Sequence, residues 1–188
     1  MSLNRRTFGK GAASGLLAFL IGGKTVLLSP AEAREKEIPF QTLSPREVEL
    51  ISLIGEAIVP GSTGMGLAHY LDHQLSGDPE QSTLIIRYLG VNPPHTGFYR
   101  SALAALDKSA LATFGKDLAG LSDQELEKFI SQLSRENPKG WDNAPPAPFF
   151  YFVLRSDAID VTYGTKAGFD RLDIPYLAHI EPGTRSWT

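Results

Sequence analysis

The chain has 188 residues, of which 42% are apolar and 21% charged, the balance of one soluble domain that can bury a core of its own. Eighteen lysines and arginines stand against 21 acidic residues, and the net charge of −3 excludes the basic surplus that nucleic-acid binding requires. There are no cysteines, which excludes disulfides, thiolate catalysis, cysteine-ligated zinc, iron–sulfur clusters and covalently attached c-type haem.

The chain opens on Asn4-Arg5-Arg6-Thr7-Phe8-Gly9-Lys10. Arg5, Arg6, Phe8 and Lys10 match the twin-arginine export signal, with Gly9 the main departure. An apolar stretch over residues 11–28 follows, broken by Gly22, Gly23 and Lys24. It ends at Ser29-Pro30-Ala31-Glu32-Ala33, where Ala31 and Ala33 form the small-x-small pattern that a signal peptidase reads. A permanent membrane helix needs about 20 unbroken apolar residues, so this segment reads as a signal peptide over residues 1–33. The expected destination is the periplasm. The pathway carries cargo that is already folded, often around a cofactor. A chain of this size without a cofactor motif is therefore expected to travel with a partner that has one.

Residues 34–41 read as a charged, extended linker, and residues 42–188 as the domain. Ser44-Pro45-Arg46-Glu47 starts a helix: Ser44 caps, Pro45 suits the first position and Glu47 completes a capping box. Val48, Ile51, Leu53, Ile54 and Ile58 then give an apolar face with helical period, and Pro60-Gly61 ends it. A second helix is expected over residues 67–75, with Leu67, Tyr70 and Leu71 along one side. A third is expected over residues 79–89, carrying Leu84, Ile85 and Tyr88. After the break at Asn92-Pro93-Pro94 a longer helix starts near Thr96, marked by Phe98, Leu103, Leu106, Leu111 and Phe114. Ser122-Asp123-Gln124-Glu125 is another capping box, and Leu126, Phe129, Ile130 and Leu133 line the helix it opens. Residues 137–148 form a loop around Trp141, and residues 149–161, the most apolar run of the domain, predict its central helix. Strand-like alternation is nearly absent. The reading is an all-α domain of five to seven helices with a long irregular C-terminal tail, preceded by a signal peptide.

Three patterns invite chemistry. Gly61-Ser62-Thr63-Gly64-Met65-Gly66 has the glycines of a phosphate cradle, but they follow a helix instead of joining a strand to one, and no P-loop lysine is present; it reads as a turn. His69 and His73 lie one helical turn apart, the spacing of a metal-binding pair, with Asp72 beside them. Neither His95 nor His179 falls in a pattern that makes it a third ligand, so the pair reads as exposed and metal-free. Asp157 and Asp160 are spaced as an acid–base couple, and equally as partners for an arginine that orients the tail. No Ser–His–Asp order, H-E-x-x-H or nucleophile elbow is present.

Beyond Tyr163 the chain is dense in aromatics, glycine and proline through Trp187, too apolar to remain solvated and too broken for regular structure. Aromatics and arginine are the side chains that anchor interfaces. Tyr163, Phe169, Tyr176, His179 and Trp187 are therefore the expected partner contacts, with Arg155 and Asp157 holding the base of the tail.

Leu43-Ser44-Pro45-Arg46-Glu47, then Glu56-Ala57-Ile58-Val59-Pro60, and above all Leu154-Arg155-Ser156-Asp157-Ala158-Ile159-Asp160-Val161-Thr162-Tyr163-Gly164-Thr165 resemble the gluconate 2-dehydrogenase subunit 3 family. The likeness continues through Gly168-Phe169, Ile174-Pro175-Tyr176 and His179-Ile180, and includes the twin-arginine start. It implies a non-catalytic small subunit with no cofactor of its own. Its partner would be a large FAD-containing flavoprotein of the glucose–methanol–choline oxidoreductase type, which a multihaem cytochrome c often joins. The small subunit would supply the export signal and reach the cytoplasmic membrane through the complex. Two other classes compete: a metal-dependent periplasmic enzyme using His69 and His73, and a stand-alone binding module whose tail packs on itself.

Overall fold

The computed structural model describes residues 16–21 and 23–175. Two strands come first, β1 (Leu17–Ile21) and β2 (Lys24–Leu28). Seven α-helices follow among the described residues: α1 (Pro30–Glu35), α2 (Pro45–Ile58), α3 (Leu67–Ser76), α4 (Thr96–Phe114), α5 (Asp123–Leu133), α6 (Ala147–Tyr163) and α7 (Lys166–Arg171). The domain is helical, as its sequence predicts. No helix among the described residues is long and apolar enough to cross a membrane.

Local chemistry sets the helix starts. Ser44 and Ser122 each accept a hydrogen bond from the backbone of the glutamate three residues on, and Glu47 and Glu125 reach back to the cap. Ser29 and Glu32 make the same reciprocal pair at α1. Proline at the first position of α1 and α2 removes an amide that would have no partner there.

The helix α6 runs through the middle of the core. Phe150, Val153, Leu154, Ala158 and Val161 are buried along it. They share one apolar cluster with Ile51 and Ile54 of α2, Leu67 and Leu71 of α3, Tyr99, Leu103 and Leu106 of α4, and Phe129 and Leu133 of α5. On the surface, Arg46 of α2 ties this arrangement to α4 through hydrogen bonds of 2.9 and 2.7 Å to the two oxygens of Asp107.

One polar group sits inside that cluster. Asp157 is fully buried on α6 and accepts a 2.5 Å hydrogen bond from the hydroxyl of Tyr99 on α4. Its other oxygen accepts the Ile85 N–H at 3.0 Å. Burial pushes the carboxyl up to about 7, against the two hydrogen bonds, which favour the charged form; Asp160, one turn on, adds to the rise. The sequence reading paired this carboxylate with an arginine, whereas the structure gives it a tyrosine and a backbone amide.

Two expectations about regular structure are corrected. The helix expected over residues 79–89 is two 3₁₀ turns, Pro79–Gln81 and Ile85–Leu89. The amides that would continue a helix through this stretch go to side chains: Thr83 N–H to Gln74 Oε1 at 2.8 Å, Leu84 N–H to Ser82 Oγ and Ile85 N–H to Asp157. The C-terminal tail is less irregular than expected, because Thr165 caps α7. Gly168 makes that turn possible: a Cβ there would meet the Thr162 carbonyl oxygen at 2.5 Å.

Replacing Asp157 by alanine orphans two buried donors and is expected to cost about 2–4 kcal/mol, from roughly 1–3 per unpaired group; Asp157→Asn, which still accepts, is expected to cost less. The carboxyl is raised from its ordinary 3.8 to about 7, so between these values the native state binds more protons than the unfolded chain. Its contribution therefore makes stability fall as pH rises from about 4 to about 7. Urea unfolding across that range checks both statements, and Asp157→Asn should flatten the slope.

Candidate functional site

The polar groups expected to carry function lie mainly on α3. One side of this helix puts Leu67 and Leu71 into the main core. The other presents His69, Asp72 and His73, an i, i+3, i+4 set that shares one face. The sequence predicts an exposed pair, and the structure corrects this: His69 and Asp72 are buried, and His73 is half-buried.

Each of the three holds chain that precedes α2. The Asp72 carboxylate accepts the consecutive backbone N–H groups of Gln41, Thr42 and Leu43 at 2.9, 2.8 and 2.8 Å. His69 Nε2 lies 3.0 Å from the carbonyl oxygen of Ile38, and the ring of Phe40 packs against its imidazole at 4.4 Å. His73 Nε2 lies 3.1 Å from the carbonyl oxygen of Ala18, and the Phe19 ring sits 5.2 Å from its own. A carbonyl only accepts, so both Nε2 atoms carry the proton. In the neutral ring this leaves His73 Nδ1 bare, buried and without a hydrogen-bond partner among the described residues. Burial depresses the pKa of both histidines, with the carbonyl contacts and Asp72 opposing it and Arg34 reinforcing it at His69.

This arrangement is unlike a metal centre. Both Nε2 atoms point at carbonyl oxygens, and the described residues bring no group of three potential ligands together. The glycine-rich segment is the turn that the sequence predicts. Gly66 takes a left-handed φ of +82° and packs so tightly on α1 that a Cβ would stand 2.2 Å from the Pro30 carbonyl oxygen.

The segment that α3 holds is itself folded. β1 and β2 pair antiparallel from Leu17↔Leu28 to Ile21↔Lys24, with Gly22-Gly23 between them. Two glycines between two short apolar runs are the sequence signal of a hairpin, and the sequence reading had treated them only as a break. Phe19 and Leu28 form a small cluster with Ala33 of α1 and Ile38, separate from the main core. Ala31 and Ala33, the expected cleavage residues, lie in α1, and Ala33 is fully buried. Residues 34–41, read from sequence as a tether, are pinned through Ile38, Phe40 and Gln41. Arg5, Arg6, Phe8 and Lys10 lie outside the described residues.

Between the hairpin, α3 and the end of α6 lies a cavity of about 550 Å³. Ala18 and Leu27 line it on the hairpin side, Tyr70, His73 and Gln74 on α3, and Asp160, Val161 and Thr165 opposite. Burial raises the Asp160 carboxyl.

The C-terminal candidates separate. Asp157 faces inward and cannot touch a partner. Arg155 is exposed on α6, and Tyr163 is half-buried under the Arg171 guanidinium, 5.8 Å from its ring centre. Phe169 is half-buried on α7. Tyr176, His179 and Trp187 lie outside the described residues. Sequence reasoning missed three exposed apolar side chains in this part of the chain, Phe152 at 46%, Leu172 at 49% and Ile174 at 49%. Phe152 was hidden in the most apolar run, where every position looks like core.

Fold and site together define a small helical protein whose polar clusters hold its own segments and which leaves large apolar groups at the surface on α6 and just after α7. The chain belongs to the gluconate 2-dehydrogenase subunit 3 family, whose model matches residues 45–183. The family is that of a subunit in a dehydrogenase complex, which implies a dehydrogenase partner. No curated protein and no solved structure matches the chain.

The depressed histidines give the α3 face a pH dependence with a definite sign. The native state prefers both rings neutral, so their contribution is complete above the ordinary histidine pKa of about 6.5 and is lost as pH falls through the depressed values. Amide exchange over residues 17–43, corrected for intrinsic rate, should therefore accelerate in mild acid. Exchange in α4 and α6 should hold, because the Asp157 contribution grows in that direction. His69→Gln with His73→Gln should abolish the difference.

Proposed function

We propose that this chain is a non-catalytic subunit that escorts the FAD-containing subunit of a sugar or sugar-acid dehydrogenase through the twin-arginine pathway, and then stabilises it at the periplasmic face of the membrane. Membership of the gluconate 2-dehydrogenase subunit 3 family carries this reading. Three features support it. Arg5, Arg6, Phe8 and Lys10 supply an export signal at the head of a chain with no cofactor motif. Three of the four titratable groups that the sequence offered for catalysis are engaged inside the fold, Asp157 with Tyr99 and His69 and His73 with backbone carbonyls, while the fourth, Asp160, lines the cavity. Large apolar side chains remain exposed near the C-terminus, beside a cation, the composition of an interface core.

The partner in this reading is a flavoprotein of the glucose–methanol–choline type, to which a multihaem cytochrome c is added in a full respiratory complex. FAD belongs to the partner. The contacts assigned to it are Phe152, Arg155, Tyr163, Phe169, Leu172 and Ile174, continuing through Tyr176, His179 and Trp187. Asp157 acts behind this surface, by fixing α6 against α4.

Co-expression with the large subunit tests the reading. Both chains should reach the periplasm together, and replacing Arg5 and Arg6 by lysine should retain both in the cytoplasm. A large subunit that is exported and flavin-loaded without this chain would overturn the proposal. Phe152→Asp with Leu172→Asp should weaken the complex by roughly 30-fold or more, the effect of losing about 2 kcal/mol at an interface hot spot. The Tm of the isolated chain should stay within a few degrees of the unsubstituted protein, since both side chains are about half-exposed.

A further inference from the structure

The glycine-rich turn between α2 and α3 is a rigid piece of backbone. The Glu56 carboxylate, near the end of α2, accepts the Gly61 N–H at 2.7 Å and the Thr63 N–H at 3.1 Å. Thr63 Oγ1 donates to the Ser52 carbonyl at 3.0 Å, and the Met65 N–H closes the turn onto the Gly61 carbonyl, also at 3.0 Å. Burial disfavours the charge on Glu56, but the bonds from Gly61 and Thr63 and the nearby Arg171 guanidinium outweigh it and hold the carboxyl below its ordinary range.

Arg171 comes from the far end of the chain, as the last residue of α7. Its guanidinium lies so close to Gly61 that a Cβ there would stand 3.0 and 3.2 Å from its two terminal nitrogens. The same guanidinium lies 5.8 Å from the centre of the Tyr163 ring, within reach of a cation–π contact. One planar cation thus meets both the aromatic ring at the end of α6 and the bare backbone of the turn. A lysine would not reproduce this, because its ammonium is a point charge without a face to stack. Arg171 is exposed, and its N–H donors have no hydrogen-bond acceptor among the described residues, since the Glu56 oxygens accept the amides of the turn instead.

The helix that carries it has six residues, too few to hold its own position. Leu172 and Ile174 follow at once, both half-exposed, and their amides bond back to carbonyls of the same turn, Leu172 to Gly168 and Phe169, Ile174 to Phe169. The place where Arg171 rests therefore sets where this apolar pair stands. Groups that are ordered before binding lose less entropy when a partner arrives. An arginine beside exposed apolar side chains is also the composition of an interface hot spot.

We propose that the glycine-rich turn is the seat of Arg171, that this seat presents Leu172 and Ile174 as a preformed apolar pair to the dehydrogenase subunit, and that the open donors of the guanidinium receive a carboxylate of that subunit. The matching patch on the partner is then apolar with an aspartate or glutamate beside it, the group that fits a planar fork of donors. Gly61 has its reason in the same contact, since any side chain there would take the space of the guanidinium. This rests on the escort reading above and adds to it the residue that orients the C-terminal contacts and the chemistry that meets them.

Binding of the large flavoprotein subunit to the full-length chain, measured at low and at high salt, tests the proposal. Arg171→Gln should weaken binding roughly tenfold at low salt, the loss of one charge-assisted contact, and should flatten the salt dependence. Arg171→Lys, which keeps the charge, should keep the salt dependence and recover part of the affinity. Gly61→Ala should weaken binding in the unsubstituted chain and add nothing in the Arg171→Gln background, because its effect passes through the guanidinium. Backbone strain at Gly61, where φ is +93°, is present in the free and the bound chain alike and cancels from this comparison. In the free chain the amides of Leu172 and Ile174 should exchange roughly two- to fivefold faster in Arg171→Gln, the factor for losing an exposed cation–π contact, while α4 and α6 are unchanged. Equal exchange in that variant, or a Gly61→Ala effect that is absent or the same in both backgrounds, would overturn the seat. Full affinity in Arg171→Gln, or a salt dependence that survives it, would overturn the carboxylate contact. A flavoprotein that does not bind even the unsubstituted chain would overturn the escort reading and the partner contacts together, and the exchange comparison would still decide the seat.

Discussion

A buried carboxyl group organises this fold. Asp157 projects from the central helix into an apolar cluster, where an unpaired charge or polar group is strongly disfavoured. It is tolerated because Tyr99 and the Ile85 amide meet it at 2.5 and 3.0 Å. Those two bonds are directional in a way that apolar packing is not. They specify how far α4 lies from α6, and the bond to Ile85 anchors the end of an extended crossing at residues 82–84. The shape of the cavity follows from that crossing, since Ser82 and Thr83 form part of its wall.

The helix α3 extends the same logic to the edge of the molecule. It is amphipathic, but its polar side does not face solvent. Asp72 satisfies three successive amides at the entrance to α2, and so stands in for the hydrogen bonds that an extended segment cannot make with itself. His69 and His73 do the converse, donating to carbonyls of residues further upstream. An acidic group for amides and two neutral imidazoles for carbonyls give one helical face that binds backbone irrespective of side chain. Such a face suits a segment whose composition is dictated by another task.

The family places this chain as a subunit in a dehydrogenase complex, where its surfaces are what it has to offer. In the proposed role, the apolar groups left outside by α6 and by the chain after α7 form the partner surface, and the leader addresses the pair. Gly164 and Thr165 line the cavity that the hairpin borders, and α7 starts at the next residue.

Much of the architecture was legible in the sequence because its causes are local. Ser44 with Glu47 and Ser122 with Glu125 mark two helix starts by chemistry confined to four residues, and the apolar period of α4 and the run of α6 need no distant information. The family resemblance was legible for a related reason, since short motifs survive intact in a single chain. What the sequence alone left undecided depends on partners far along it. Residues 79–89 have helical composition, yet Gln74 and Asp157 take their amides, and Asp157 is 72 residues from Ile85. Phe152 and Phe150 are indistinguishable as letters; only the packing of α6 buries one and exposes the other. His69 and His73 carry the spacing of a metal pair, and the tertiary structure turned them to backbone by placing Ile38 and Ala18 opposite. A side chain's identity states what it can bond to, and only the folded chain determines which group arrives.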